Sequence, residues 1–85
     1  MYFVYILKSQ NHKAFYIGYT YNIGKRIKEH NASLSPATKR YIPWQSVYLE
    51  GYVNKEEVRD REEKIKQFGK VYSQLRRRIR RSLQS

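Results

Sequence analysis

The stretch Tyr2-Phe3-Val4-Tyr5-Ile6-Leu7, followed after a polar interval by Ala14-Phe15-Tyr16-Ile17-Gly18-Tyr19, decides how this chain folds. Both segments are β-branched and aromatic almost throughout, the composition of strands. The first is apolar on both parities, which predicts a central strand covered on both faces. Between them Ser9-Gln10-Asn11-His12-Lys13 is polar turn material, so the two strands pair as a hairpin.

Working outward, Thr20 or Asn22 caps a helix that begins near Asn22, with Ile23 and Ile27 one turn apart on its apolar face. Gly24 weakens that helix by about 1 kcal/mol relative to Ala, and Asn31 is its predicted stop. Residues 31–43, rich in Asn, Ser and Thr with two prolines, read as a loop. Ser46 to Val53 is a third strand, with Val47, Leu49 and Gly51 on one face and Tyr48, Glu50 and Tyr52 on the other. Tyr48 and Tyr52 serve either a core or a contact with a second copy; nothing local decides between them.

Asn54-Lys55-Glu56-Glu57 resembles a capping box, opening a helix that runs to about Phe68 and stops at Gly69. Val58, Ile65 and Phe68 form its predicted buried stripe. A last helix, Val71 to Leu83, sets Val71, Tyr72, Leu75, Ile79 and Leu83 on one side, with Arg76, Arg77, Arg78, Arg80 and Arg81 over the rest. The order β-β-α-β-α-α predicts an α+β fold, an antiparallel sheet flanked by helices. It forms a single domain over 1–85, in which 70–85 is a basic C-terminal helix.

Composition narrows the chemistry. With 85 residues the chain holds one modest core. Having no cysteine, it has no disulfide, zinc-thiolate or thiol-nucleophile chemistry. The 18 basic and 7 acidic residues give a net charge of +11. The segment 70–85 alone carries six basic side chains and no acidic one. Such a balance predicts a polyanionic partner, nucleic acid ahead of a membrane surface. The longest apolar run, Tyr2 to Leu7, is too short for a membrane span or a secretory signal, so the cytoplasm is the expected compartment.

Before residue 54 the only acids are Glu29 and Glu50, which argues against a two-metal carboxylate site. Two histidines, His12 and His30, do not make a histidine-rich metal site. What remains is a dispersed set: the hairpin tyrosines, Arg26 and His30 one helical turn apart, and Glu62 about 40° round its helix from Val58. Each has an ordinary alternative. Arg26 can be a solvated cation, His30 a packed imidazole, and Glu62 a partner for Lys66.

Phe3-Val4-Tyr5, a ten-residue spacer and Tyr16-Ile17-Gly18, followed by Arg26, His30 and Arg61-Glu62, resemble the ordered signature of the GIY-YIG nuclease domain family. The resemblance covers nearly the whole chain. It is closest to small standalone bacterial GIY-YIG proteins, related to the N-terminal nuclease domain of the excision-repair incision subunit. One departure stands out: the first triplet is Phe-Val-Tyr rather than Gly-Ile-Tyr, which keeps its functional tyrosine.

The resemblance implies a three-stranded antiparallel sheet and metal-dependent hydrolysis of phosphodiester bonds in DNA, with Mg²⁺ or Mn²⁺ as cofactor. It implies Tyr5, Tyr16, Arg26 and His30 as catalytic residues, Glu62 as the single metal ligand, and Gly18 as a structural residue of the cleft. Either tyrosine is a candidate base; its pKa, ordinarily about 10, must then be lowered by Arg26, the metal or His30. Lys25, Lys39, Arg40, Arg76, Arg77, Arg80 and Arg81 are the expected phosphate contacts. Trp44 is available for base stacking or, the favoured reading, for core packing. The partner is nucleic acid, DNA ahead of RNA, and not a membrane. The alternative function is a nucleic-acid-binding module that keeps the fold and cleaves poorly.

Overall fold

The computed structural model describes residues 1–84; Ser85, the end of the basic segment 70–85, lies outside the described residues. Three strands, β1 (Tyr2–Ser9), β2 (Phe15–Thr20) and β3 (Trp44–Tyr52), form an antiparallel sheet in the order β2-β1-β3. The strand that is apolar on both parities is thus the central one, and its residues Val4 to Leu7 are all buried.

Helix α1 (Ile23–Asn31) covers one face of the sheet; α2 (Lys55–Gln67), α3 (Gly69–Arg78) and the short α4 (Arg80–Leu83) follow β3. On the α1 face Tyr5, Leu7 and Trp44 pack with Tyr16, Ile23 and Ile27. On the other face Val4 and Ile6 meet Val58, Ile65 and Leu75. The caps act as the sequence predicts: the Asn22 side chain accepts the Lys25 amide, and that of Asn54 accepts the amides of Glu56 and Glu57.

Four expectations are corrected. Ladder pairing jumps from Ile6↔Tyr48 to Leu7↔Ser46, a bulge that puts Val47 beside Tyr48 in the α2-side core rather than opposite it. Phe68 is 56% exposed. It has left helical geometry, with φ −110° and ψ 100°, and so falls off the stripe that Val58 and Ile65 continue. Gly69 therefore opens α3 instead of closing α2. The last helix is interrupted at Ile79, although Leu75 stays buried as its stripe requires. The 31–43 loop holds a 3-10 turn at Lys39–Tyr41 and buries Ser35 and Thr38. Among the described residues no helix is long and apolar enough to cross a membrane.

Candidate active site

Tyr5 lies mid-strand on β1, opposite Gly18 of β2. Its phenol extends across that glycine. A Cβ on residue 18 would stand 2.5 Å from the Tyr5 hydroxyl oxygen, 2.7 Å from Cζ and 3.1 Å from Tyr16 Cε2. Any side chain there displaces the phenol, so Gly18 is needed for a close approach rather than for a turn.

Helix α1 brings Arg26 and His30 over the same spot. The Tyr5 hydroxyl lies 3.0 Å from His30 Nε2, and Arg26 Nε donates to the Tyr5 oxygen at 3.4 Å. On its other side His30 Nδ1 lies 2.7 Å from Thr38 Oγ1, whose hydroxyl donates to the Ser35 carbonyl at 3.4 Å. We assign the His30 proton to Nδ1, so that Nδ1–H donates to Thr38 and Nε2 accepts from the Tyr5 hydroxyl. The array is buried: Tyr5 is 1% exposed, His30 and Thr38 0%.

Burial pushes the Tyr5 phenol above its ordinary pKa, and the opposing pull of Arg26 does not cancel it. The lowering that a tyrosine base requires is therefore absent at Tyr5 in the free protein. Burial, and then the Arg26 charge, hold His30 below its ordinary value, which suits the neutral tautomer assigned above.

Tyr16 is half-buried, its ring centroid 4.9 Å from that of His30 and 6.3 Å from that of Tyr5. Glu62, on α2, has a side chain only 15% exposed, and Lys66 Nζ lies 3.4 Å from its Oε1. Lys66 Nζ also sits 5.9 Å from the Tyr16 ring centroid, and the Glu62 charge bears on the Tyr5 hydroxyl. Residues scattered from position 5 to position 62 thus gather in one region. The modest alternatives are present too: His30 is packed, Glu62 pairs with Lys66, and Arg26 shares its guanidinium with Glu29 at 3.4 Å.

Among the described residues no three His, Asp or Glu side chains cluster as a metal cage. A half-buried carboxylate with one long ion pair to an exposed lysine keeps lone pairs to spare. That donor set suits a hard divalent cation that retains most of its waters.

The expected phosphate contacts divide between the two faces. Lys25 is exposed in the first turn of α1, and Lys39 and Arg40 are exposed in the 3-10 turn, Arg40 5.7 Å from the Tyr41 ring centroid. Arg76 and Arg77 lie on α3, Arg80 and Arg81 on α4. Trp44 is a core residue, 4% exposed, with Nε1 donating to the Thr38 carbonyl at 2.9 Å, so its ring is closed to base stacking.

Sequence reasoning missed Thr38, which sits in a loop without periodicity, and saw Lys66 only as the i+4 partner of Glu62. No local signal marks Thr38; a cation one turn from a candidate ligand was the available hint for Lys66.

The GIY-YIG catalytic domain family matches residues 1–73, from the start of β1 into α3. A UPF0213 protein of Clostridium perfringens is 42% identical over 67 residues, a span covering 78% of this chain and 71% of that protein. No solved structure matches at a significant level. With the sheet, the two tyrosines over Gly18 and the α1 residues above them, these matches make the chain a member of the GIY-YIG nuclease domain family.

Proposed function

We propose that this nuclease-family domain is a divalent-metal-dependent endonuclease that hydrolyses phosphodiester bonds in DNA, working in the cytoplasm. The observation that carries the reading is the continuous hydrogen-bonded array Arg26–Tyr5–His30–Thr38, beside a Glu62 carboxylate whose partner Lys66 sits over the Tyr16 ring. The resemblance to the excision-repair incision domain points to damaged or branched DNA as substrate.

In this reading Tyr5 accepts a proton from the attacking water as its own proton passes to His30 Nε2. The two residues act as one base, which answers the raised pKa of Tyr5 without requiring a free phenolate. Thr38 holds Nδ1–H so that Nε2 stays available. Arg26, beside the Tyr5 oxygen, meets the negative charge that builds on the phosphate; an anion there also relieves the repulsion between Arg26 and a protonated His30. Tyr16 orients the water. Glu62 would hold Mg²⁺ or Mn²⁺, and the ion when bound supplies Lewis acidity at the phosphate and its leaving oxygen.

The test is cleavage of supercoiled plasmid and of a four-way DNA junction with Mg²⁺ or Mn²⁺, beside binding to uncut DNA. Glu62→Gln and Arg26→Ala should each lose at least about 10²-fold in cleavage rate while binding persists. Salt-sensitive binding without cleavage of either substrate by the wild-type chain would overturn the enzyme reading and leave a DNA- or RNA-binding module.

A further inference from the structure

Away from the Tyr5 site, the β1–β2 loop with its flanking strand ends and the α3–α4 segment border an open cleft of about 630 Å³. Lys8, His12 and Lys13 line one wall; Arg76, Arg77 and Arg80 line the other. Among the described residues no acidic side chain lines it. Five basic side chains line this one cleft, so an anion that enters it is attracted by all of them.

The cleft is also built. Arg76 lies 5.3 Å from the Phe15 ring centroid and 5.6 Å from that of Tyr72, which holds its guanidinium in place. Lys8 donates to the Leu83 carbonyl and so ties the loop wall to the helical wall.

We propose that this cleft is a second phosphate-binding site that grips the sugar-phosphate backbone of the nucleic acid on the face of the sheet away from α1. The proposal rests on nucleic acid being the partner, but not on the chain being catalytically active. The net charge of +11 and the nuclease-family match select nucleic acid over another anion. Phe15 lines the cleft and packs on the α2 side, while its neighbour Tyr16 packs on the α1 side beside Tyr5. Both belong to β2, an edge strand, so the cleft and the Tyr5 site lie to either side of that edge. The protein measures only 29 × 26 × 20 Å. Ten base steps at about 3.4 Å each exceed its longest dimension, so bound DNA extends beyond the Tyr5 site itself.

Contacts of this kind give affinity without reading sequence, and they register as salt dependence. Binding of a fluorescein-labelled 20-base-pair duplex is measured by anisotropy in EDTA, where cleavage plays no part, across a series of salt concentrations. The cleft variant is Lys13→Ala/Arg77→Ala/Arg80→Ala, which spares the structural contacts of Lys8 and Arg76. The control, Lys55→Ala/Lys64→Ala/Lys70→Ala, removes the same charge elsewhere. Circular dichroism melting confirms that both variants fold.

The cleft variant should bind at least about tenfold more weakly, with its log–log salt slope reduced by about 2 to 3. The control should change both quantities far less. Equal weakening in both variants would show that net charge alone acts and would overturn the site. So would unchanged DNA binding by the cleft variant, including the case in which it instead loses binding to phosphatidylserine vesicles. Failure of the plasmid-cleavage test with success here would sink the enzyme and keep the site; the reverse pattern would do the opposite.

Discussion

Two tyrosine clusters sit on opposite faces of the same sheet, and they are built differently. On the α2 face Glu50 accepts from Arg61 twice, at 2.8 and 3.1 Å, and from the hydroxyls of both Tyr48 and Tyr52. Its carboxylate oxygens are filled by protein groups and the array is closed. At the Tyr5 site Arg26 reaches Tyr5 and Glu29 only at 3.4 Å each, and Glu62 of α2 has a single long contact to a lysine. The first cluster spends its charges on itself and holds strands and helix together. The second keeps capacity in reserve, as a site that must receive a phosphate requires.

The electrostatics agree with that contrast. Burial alone would raise Glu50, but Arg61 and the two hydroxyls outweigh it and hold the carboxyl below its ordinary range. Burial and then Glu50 push Tyr52 up to about 12. Both shifts strengthen the state in which the carboxylate accepts and the phenol donates.

The contrast is broken most sharply at Gly18. Gly18→Ala should cut DNA cleavage by about 10²-fold or more, because the new methyl displaces the Tyr5 hydroxyl. Activity at the wild-type level in single-turnover assays would mean that the Tyr5 position is not needed.

Glu50→Gln addresses the closed cluster. It should lower stability by about 1–3 kcal/mol in urea melts while cleavage per folded molecule is preserved. Because the folded carboxyl is depressed, its contribution is complete above the unfolded value of 4.5 and fades as pH falls through the lower folded value. Wild type and variant should therefore converge in stability as pH falls below the folded value. A gap that persists there would mean that the charge is not what matters.

Thr38→Val is expected to have the smallest effect. It removes the acceptor for His30 Nδ1–H and should slow cleavage by about tenfold and alter the acid limb of the pH–rate profile, with duplex binding unchanged. A uniform loss without a change in the pH profile would make Thr38 a packing residue alone.

How much of this was legible beforehand can be judged residue by residue. Asn54, and Asn22 of the pair Thr20 and Asn22, cap their helices, because a cap bonds amides two or three positions away. The central place of β1 followed from its double-sided apolarity. Trp44 went to the core, as its size favours. Val47 and Phe68 did not follow their periodicities, because a bulge and a helix end shift phase by events that no local pattern marks. Thr38 was invisible, since its importance lies in meeting a histidine eight residues away across an irregular loop.

The sequence by itself determined the strands and helices, the net charge of +11 and the residue types that nuclease chemistry needs, since these depend on composition and on neighbours a few positions apart. Only the tertiary structure decided that the Tyr5 phenol rests on Gly18, that Glu50 is closed while Glu62 is open, and that Lys13 shares a cleft with Arg77. Those outcomes depend on strand register and on the packing of helices distant in the chain. They are sums over many weak contacts that no single segment records.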